Sequence, residues 1–195
     1  MSRIHLFWLL LVMAVLSGCA HPIAITPVLS SIDRKDVTSI ERNVGYYISD
    51  QDRNKEVISP GGGGDKIRYS TYRDLEPALQ KVLANTFKNV QRIPAVEDKK
   101  FIADNGISFV FVPQFETSSS SSGIFTWMAT DFTVQMDCKA LSSDGSVIWE
   151  KNIKESGHAD SQELMKDMQL SSRRASEKVF MQLQAEINTN PVFRK

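Results

Sequence analysis

The chain has 195 residues, with 23 Lys and Arg residues against 23 Asp and Glu residues, and 42% of its residues are hydrophobic. This length fits one ordinary domain, and the hydrophobic fraction is typical of a globular core. Zero net charge excludes the basic footprint of a nucleic-acid-binding protein, and two cysteines cannot form a disulfide-rich scaffold.

The first 18 residues are typical of a signal peptide. Arg3 supplies a short positive start, and residues 6–16 form an apolar stretch of 11 residues. This stretch is too short to span a membrane as a helix, so we expect it to be removed from the mature protein.

The stretch ends in Leu16-Ser17-Gly18-Cys19, which resembles the lipobox of bacterial lipoproteins. The resemblance implies that Leu16, Ser17 and Gly18 are recognised by the signal peptidase. It also implies that Cys19 becomes the first mature residue, carries an S-linked diacylglyceryl group and is usually N-acylated, for example with palmitate. The alternative is an ordinary cleaved signal peptide with a free Cys19.

The residues after the cysteine indicate where the anchor would hold the protein. Position 20 is Ala, whereas an Asp there would suggest retention at the inner membrane in many Gram-negative bacteria. The resemblance therefore implies the periplasmic face of the outer membrane. Residues 19–43 contain Pro22, Pro27 and a mixed-charge run, and we expect this lipidated segment to be a flexible tether.

Residues 44–190 are predicted to form a single periplasmic domain. Residues 44–49 are rich in β-forming residues and predict a first strand. Asp74 is predicted to cap a helix with Pro77 in its first turn. A short helix is expected over 96–104. The helix that Asp74 is predicted to cap would bury apolar residues at helical spacing, namely Leu75, Leu79, Val82, Leu83, Phe87 and Val90.

The second half of this region predicts a sheet followed by a helix. Residues 107–117 are apolar on both faces and predict a central strand, with Pro113 at a bulge or local edge. Residues 142–145 predict a turn into a partner strand over 147–153. Residues 130–140 alternate as another strand, with inward Phe132, Val134, Met136, Cys138 and Ala140.

A last helix is predicted after a capping box of Asp160 and Glu163. It would bury Leu164, Met168, Ala175, Val179, Leu183 and Ile187, while Arg173 and Arg174 would lie on a solvated face. The order of elements predicts an α+β fold, in which a mostly antiparallel sheet of about four to five strands is covered by two main helices.

Two polar segments resemble ligand-binding loops only superficially. Glycines 61–64 are followed by Asp65 instead of the Lys of a phosphate-binding loop, so a flexible surface loop is favoured. Asp50, Asp52 and Asn54 have the spacing of a calcium loop but lack its turn glycine and its final Glu, which favours a solvated turn. We expect no metal site and no cofactor.

His158 is the only histidine of the predicted domain and the only candidate general base. It lies between a predicted strand and a helix cap, in a polar stretch where exposed histidines are common. Cys138 alternates with core residues and is predicted to be a small buried hydrophobe. The sequence therefore predicts no catalytic residue.

The segment over 118–129 is the most suggestive candidate for a binding surface. Its serines are not expected to pack, so the segment should leave the sheet, yet it carries Phe125, Trp127 and Met128. An aromatic loop between two strands is a reasonable contact for a protein partner. The alternative is that Phe125 and Trp127 fold back over the sheet edge.

The segments LSGCAHP, VGYYIS, PGGGGDK, YRDLEPALQKVL, FVFVP and DFTVQMDCKAL together resemble a family of small uncharacterised proteobacterial lipoproteins. This family has no assigned activity to carry over. The order of elements also resembles periplasmic lipoprotein domains of the Tol, curli-secretion and penicillin-binding-protein-activator type, which act by binding partners.

We therefore expect an outer-membrane lipoprotein that is not an enzyme. Its periplasmic domain would bind an envelope protein, as an assembly or export accessory, and the lipid anchor would hold it to the membrane. The alternative is a small-ligand-binding protein or a hydrolase with a cleft near His158.

Overall fold

The computed structural model describes residues 20–32, 39–121 and 128–194. Its strands are β1 (Ala20–Pro22), β2 (Ile40–Tyr46), β3 (Val57–Pro60), β4 (Lys66–Tyr69), β5 (Phe87–Arg92), β6 (Ile107–Ser120), β7 (Asp131–Ser142) and β8 (Val147–His158). Its α-helices are α1 (Asp50–Asn54), α2 (Thr71–Thr86), α3 (Lys99–Asp104), α4 (Ser161–Lys166) and α5 (Leu170–Thr189). Single 3-10 turns lie at Leu29–Ser31 and Pro191–Arg194.

The strands form two mixed sheets, and the predicted α+β class is confirmed. The large sheet has the order β5-β2-β6-β7-β8, and the small sheet has the order β1-β4-β3. β6, β7 and β8 pair antiparallel, as expected for a meander. β2, however, pairs parallel with both β5 and β6, and β1 pairs parallel with β4, so the sheets are less antiparallel than predicted.

One main core lies between the large sheet and helices α2 and α5. The inward residues of β7 are all buried, as their alternation predicted. Phe193, in the last 3-10 turn, is fully buried and closes this core at one end. Its ring lies 5.5–6.0 Å from four other aromatic rings, those of Phe87, Phe109, Phe111 and Trp149.

Hydroxyl groups join the small sheet to the second half of β6. The Tyr69 hydroxyl lies 2.8 Å from that of Thr117, and the Ser119 hydroxyl donates to the carbonyl of Pro60 over 2.5 Å. The last residue of β6 that pairs with β2 is Phe111, and beyond it this edge of β6 is contacted by side chains, such as the Tyr72 hydroxyl that accepts the N–H of Phe115 over 3.2 Å. Pro113 lies on this stretch, which confirms the predicted local edge.

The N-terminal segment differs from the flexible tether that its composition predicted. Residues 20–22 form β1, and the backbone N–H of Ile23 donates to the carbonyl of Arg68. Ile25 and Ile32 are fully buried in the main core. The tether expectation is therefore wrong for residues 20–32, because their apolar side chains contact partners far away in the sequence.

Helix α2 begins earlier and ends earlier than predicted. It starts at Thr71, so Asp74 is its fourth residue and Pro77 its seventh. Asp74 does not cap the helix; its carboxylate accepts the backbone N–H of Ile25 at 3.1 Å. Phe87 and Val90, which continue the helical spacing, belong instead to β5, because their backbone pairs with β2.

Other boundaries moved by a few residues. β2 begins at Ile40 and ends at Tyr46, and Ser49 caps the short helix α1. The helix predicted from 96 begins at Lys99, where the side chain of Asp98 accepts the N–H of Phe101.

The long C-terminal helix is divided in two. The predicted capping box of Asp160 and Glu163 is confirmed, but the helix that it opens ends at Lys166. α5 starts again at Leu170. Met168 lies in the break and is 50% exposed, so its predicted burial was wrong.

Candidate functional site at the loop end of the large sheet

Asp131 and His158 lie opposite each other where β7 begins and β8 ends. They are partners in the strand register, and Nδ1 of His158 lies 2.7 Å from Oδ1 of Asp131. The side chains are 63% exposed for His158 and 45% exposed for Asp131. The pair is therefore a surface ion pair or hydrogen bond and not a buried dyad.

The carboxylate of Asp131 has a second donor. The hydroxyl of Thr130 donates to its Oδ2 at 2.7 Å. This hydrogen bond, followed by the one from His158, holds the pKa of Asp131 below its ordinary value, since both favour the ionised carboxylate. At neutral pH the end of the sheet thus presents a carboxylate that is fixed by two neighbours.

Arg174 crosslinks this end of the sheet to the helical layer. Its guanidinium binds both carboxylate oxygens of Glu163, at 2.8 and 3.0 Å, and also donates to the carbonyl of His158 at 2.7 Å. These hydrogen bonds lower the pKa of Glu163 to about 2. Arg174 was predicted to lie on a solvated face, and its side chain is indeed 39% exposed. The prediction did not include its partners, which are 11 and 16 residues away in the chain.

Met128 packs inward on the same end of the molecule. It is 9% exposed and forms a small apolar cluster with Ala159 and Leu164, against which Leu170 packs. Met128 was predicted as a possible partner contact, and this is wrong because its side chain is buried in this cluster. Phe125 and Trp127, the other two predicted contacts, lie outside the described residues.

The serines before the loop remain in the sheet, contrary to expectation. Ser118, Ser119 and Ser120 pair with residues 131–133 of β7. Strand pairing uses backbone groups only, and the hydroxyl of Ser119 finds partners on β3 at Ser59 and Pro60. The segment that leaves the sheet is therefore shorter than the predicted 118–129.

The N-terminal strand starts beside this end of the large sheet. Ala20 is the register partner of Lys66, and Lys66 is the partner of Pro60. The carbonyl of Pro60 in turn accepts the hydroxyl of Ser119, next to the Ser120–Asp131 pair. The lipobox residues Leu16, Ser17, Gly18 and Cys19 precede Ala20 directly and lie outside the described residues.

The segments that the sequence rejected as binding loops have structural roles. Gly61, Gly62 and Asp65 form a hydrogen-bonded turn between β3 and β4. Asp50 pairs with Arg92 at 2.5 Å, and Asp52 bonds the capping residue Ser49, so neither is free as a calcium ligand. In the described part of the chain, no group of three His, Cys, Asp or Glu side chains could hold a metal ion.

Cys138 is a core residue, as predicted. It is fully buried, and burial raises the pKa of its thiol to about 12. The thiolate that a nucleophile or a metal ligand requires is therefore not formed at physiological pH.

Sequence reasoning identified His158 but missed the residues that surround it. Asp131 is 27 residues from His158, and Arg174 is 16 residues from it. Of the residues around His158, only the capping box of Asp160 and Glu163 could be recognised in the sequence, because its two members are three residues apart.

No helix among the described residues is long and apolar enough to cross a membrane.

No protein-family model matches the chain, and no curated protein matches it significantly. Among solved structures it is similar to protein XCC0632 from Xanthomonas campestris, of the family model DUF330. The TM-score is 0.51 at 12% identity, over 88% of this chain and 92% of that chain.

The chain is also similar to the PelC dodecamer from Paraburkholderia phytofirmans, with a TM-score of 0.50 at 10% identity. The match covers 79% of this chain and 93% of that chain. A second crystal form of PelC gives the same TM-score and identity. At these identities the likeness establishes a shared α+β fold alone.

Proposed function

We propose that the protein is a lipid-anchored protein of the bacterial envelope that acts by binding a protein partner and not by catalysis. The anchor would be a diacylglyceryl group on Cys19, and the membrane would be the outer membrane, seen from the periplasm. The partner would be contacted by the loop between β6 and β7, with Phe125 and Trp127 as its aromatic anchors.

One observation carries this proposal: the end of β6 and the start of β7, which flank the loop, lie at the same end of the molecule as the N-terminal strand. Ala20 pairs with Lys66, and Lys66 pairs with Pro60. The carbonyl of Pro60 accepts the hydroxyl of Ser119, which lies near the end of β6, just before the loop. A partner at this loop would therefore lie close to the membrane surface. This favours a component embedded in the same membrane over one that reaches across the periplasm.

The geometry at His158 supports binding over hydrolysis. A histidine base needs a nucleophile within hydrogen-bond reach and a site that excludes water. His158 and Asp131 are both largely exposed, and the hydroxyl of Thr130 is directed to Asp131 and not to the imidazole. The charged groups at this end suit a polar rim around an aromatic contact.

The test is site-specific photo-crosslinking of the full-length protein in cells. A photoreactive residue replaces Ser120, which is exposed at the end of β6 beside the loop. The matched control replaces Ser143, an exposed serine in the turn at the opposite end of β7. We expect a defined envelope protein to be crosslinked from position 120 and not from position 143.

The same crosslink should disappear when Phe125 and Trp127 are both replaced by Ser, while the thermal unfolding of the protein stays unchanged. A crosslink that survives this double substitution would overturn the assignment of the loop. A product with twice the mass of the chain would make a second copy the partner. Self-association has a precedent in this fold, because the similar PelC structure is a dodecamer.

Recovery of the uncrosslinked protein alone from both positions would contradict the partner-binding function. The alternative, a small-ligand-binding protein or hydrolase at His158, would then be favoured.

A further inference from the structure

The outer face of the small sheet is a flat surface with an unusual composition. Successive residues of a strand point to opposite sides, and register partners point to the same side. Ile58 opposite Arg68, and Pro60 opposite Lys66, therefore share one face, and Pro22 joins them from β1. We call this set of five residues the outer face.

This face is exposed although it carries apolar residues on both edge strands, Pro22 on β1 and Ile58 and Pro60 on β3. The side chain of Ile58 is 60% exposed, while Ser59, Ile67 and Tyr69 on the inner side are buried. A shallow groove of 480 Å³ runs beside Ile58 and Pro60 towards the glycine turn. Ile58 and Pro60 are neighbours on this face, and an exposed apolar patch beside charged residues is typical of an interaction surface.

Two cations lie between these apolar residues, on the central strand β4. Lys66 has no ion-pair partner among the described residues, and Arg68 has a single weak one, Glu56, at 3.9 Å. Basic side chains beside an exposed apolar residue match the chemistry of a phospholipid surface, in which phosphates lie above the acyl chains.

The position of Cys19 indicates what covers the outer face. Ala20 belongs to this sheet, and Cys19 is bonded directly to Ala20. One extended residue spans at most about 3.6 Å, so a lipid on Cys19 would be attached at the edge of the small sheet with no intervening tether. A lipid so attached brings this sheet to the bilayer surface.

From these observations we infer that the outer face lies on the phospholipid bilayer. Ile58 enters the boundary between headgroups and acyl chains, and Lys66 and Arg68 bind lipid phosphates. The protein is thus held in one orientation on the membrane and does not rotate on a flexible tether. This inference rests on the proposed lipid anchor at Cys19.

The test measures the depth of single spin labels in the lipidated full-length protein. The labelled variants are I58C, on the outer face, and V147C, a matched exposed β-branched residue at 54% exposure. Val147 starts β8, roughly 35 Å along the strand from the end that neighbours the anchor. Cys138 does not interfere, because it is fully buried.

The protein is reconstituted in vesicles of phosphatidylethanolamine and phosphatidylglycerol and compared with the same protein in detergent micelles. For the label at position 58, we expect collisions with a water-soluble nickel complex to fall severalfold in vesicles and collisions with oxygen to rise. The label at position 147 should keep its exposure to the nickel complex. Replacing both Lys66 and Arg68 by Glu should restore exposure at position 58, while the double replacement of Lys139 and Lys154 should not.

The outcomes separate the two proposals. Failure of the purified protein to float with the vesicles would overturn the lipid anchor and this orientation with it. Flotation with equal exposure of both labels would overturn the orientation and leave the anchor intact. Protection of position 58 in cell membranes but not in pure lipid vesicles would make the occupant a protein, and would also overturn the inference.

Discussion

The carboxylate of Asp74 accepts a hydrogen bond from the backbone N–H of Ile25 over 3.1 Å, across 49 residues of chain. It thereby fixes the N-terminal segment to the first turns of α2. Burial raises the pKa of Asp74, although the bonds from the N–H groups of Ile25 and Ser70 oppose this. Asp74 was predicted from the sequence to cap the helix. In the structure its carboxylate instead binds the N-terminal segment, which would carry the lipid anchor.

Asp74→Ala should release the N-terminal segment. The substitution leaves the N–H of the buried residue Ile25 without an acceptor, which costs about 1–3 kcal/mol in the free energy of unfolding. Hydrogen exchange should show faster exchange at residues 20–25 and unchanged protection in β7. Equal protection of residues 20–25 in both proteins would contradict this role. Asp74→Asn, which keeps an acceptor oxygen, is the control.

Asp74→Asn should also change the pH dependence of stability. Because the pKa of Asp74 is raised in the folded state, its contribution is fully present below the unfolded value of 3.8 and is lost as pH rises through the folded pKa. The Asn variant has no such loss. Urea unfolding across this pH window should show the variant gaining stability relative to the natural protein as pH rises; a constant difference would argue against a buried carboxylate.

Phe193→Ala should destabilise the whole domain, although the residue lies in a short 3-10 turn after α5. The ring is fully buried among four aromatic rings, so the substitution opens a large cavity in the core. We expect a loss of about 3–5 kcal/mol in the free energy of unfolding. The control is Arg194→Ala at the exposed neighbour. A loss below about 1 kcal/mol would show that the last turn is not part of the core.

Gly157→Ala should separate α5 from β8. An added Cβ would lie 2.1 Å from the carbonyl oxygen of Ser171 and 2.6 Å from the backbone nitrogen of Ala175, and neither backbone atom can move alone. We expect a loss of about 1–3 kcal/mol or more, measured by thermal unfolding. Lys154→Ala, exposed on the same strand, is the matched control. A neutral effect at Gly157 would mean that the helix does not pack this closely.

His158→Ala should leave partner crosslinking unchanged, because the imidazole is an exposed neighbour of the loop and not its anchor. It should also raise the pKa of Asp131 towards its ordinary value, although the hydrogen bond from Thr130 persists. Because the pKa of Asp131 is lowered in the folded state, its ionised carboxylate stabilises the fold above the unfolded pKa, and this stabilisation is lost as pH falls through the folded pKa. The folded pKa is higher in the variant, so the variant should lose this stabilisation at a slightly higher pH than the natural protein. Carboxyl NMR titration of Asp131 measures the shift directly. Loss of function with an intact fold would favour the ligand-binding or hydrolase alternative.

The sequence predicted the elements whose signals are local. The alternation over 130–140 correctly placed Cys138 in the core, and the three-residue spacing of Asp160 and Glu163 correctly predicted a capping box. The helix over 71–86 was recognised by its apolar period, but the same period continued through Phe87 and Val90 into a strand. Nothing in the polar composition of residues 87–92 indicates a parallel edge strand.

The candidate site was predicted only in part, because contacts between distant segments of the chain bring its residues together. His158 and the loop were identified separately, one as a lone base and the other as an aromatic segment. That they lie at one end of the sheet follows from the register of β7 and β8, which pairs Asp131 with His158. The inward packing of Met128 depends on Ala159 and Leu164, about thirty residues further along the chain.

By itself, the sequence determined which side of β7 is buried and where the capping box of Asp160 and Glu163 begins a helix. Those properties depend on side-chain period and on groups within four residues of each other. Only the tertiary structure decided that residues 20–32 pack on the domain and that β2 runs parallel to its neighbours. It also decided that β1, the glycine turn, the end of β6 and the start of β7 meet at one end. These features arise from the burial of Ile25 and Ile32 and from pairings between distant segments, and such contacts leave no periodic trace in the chain.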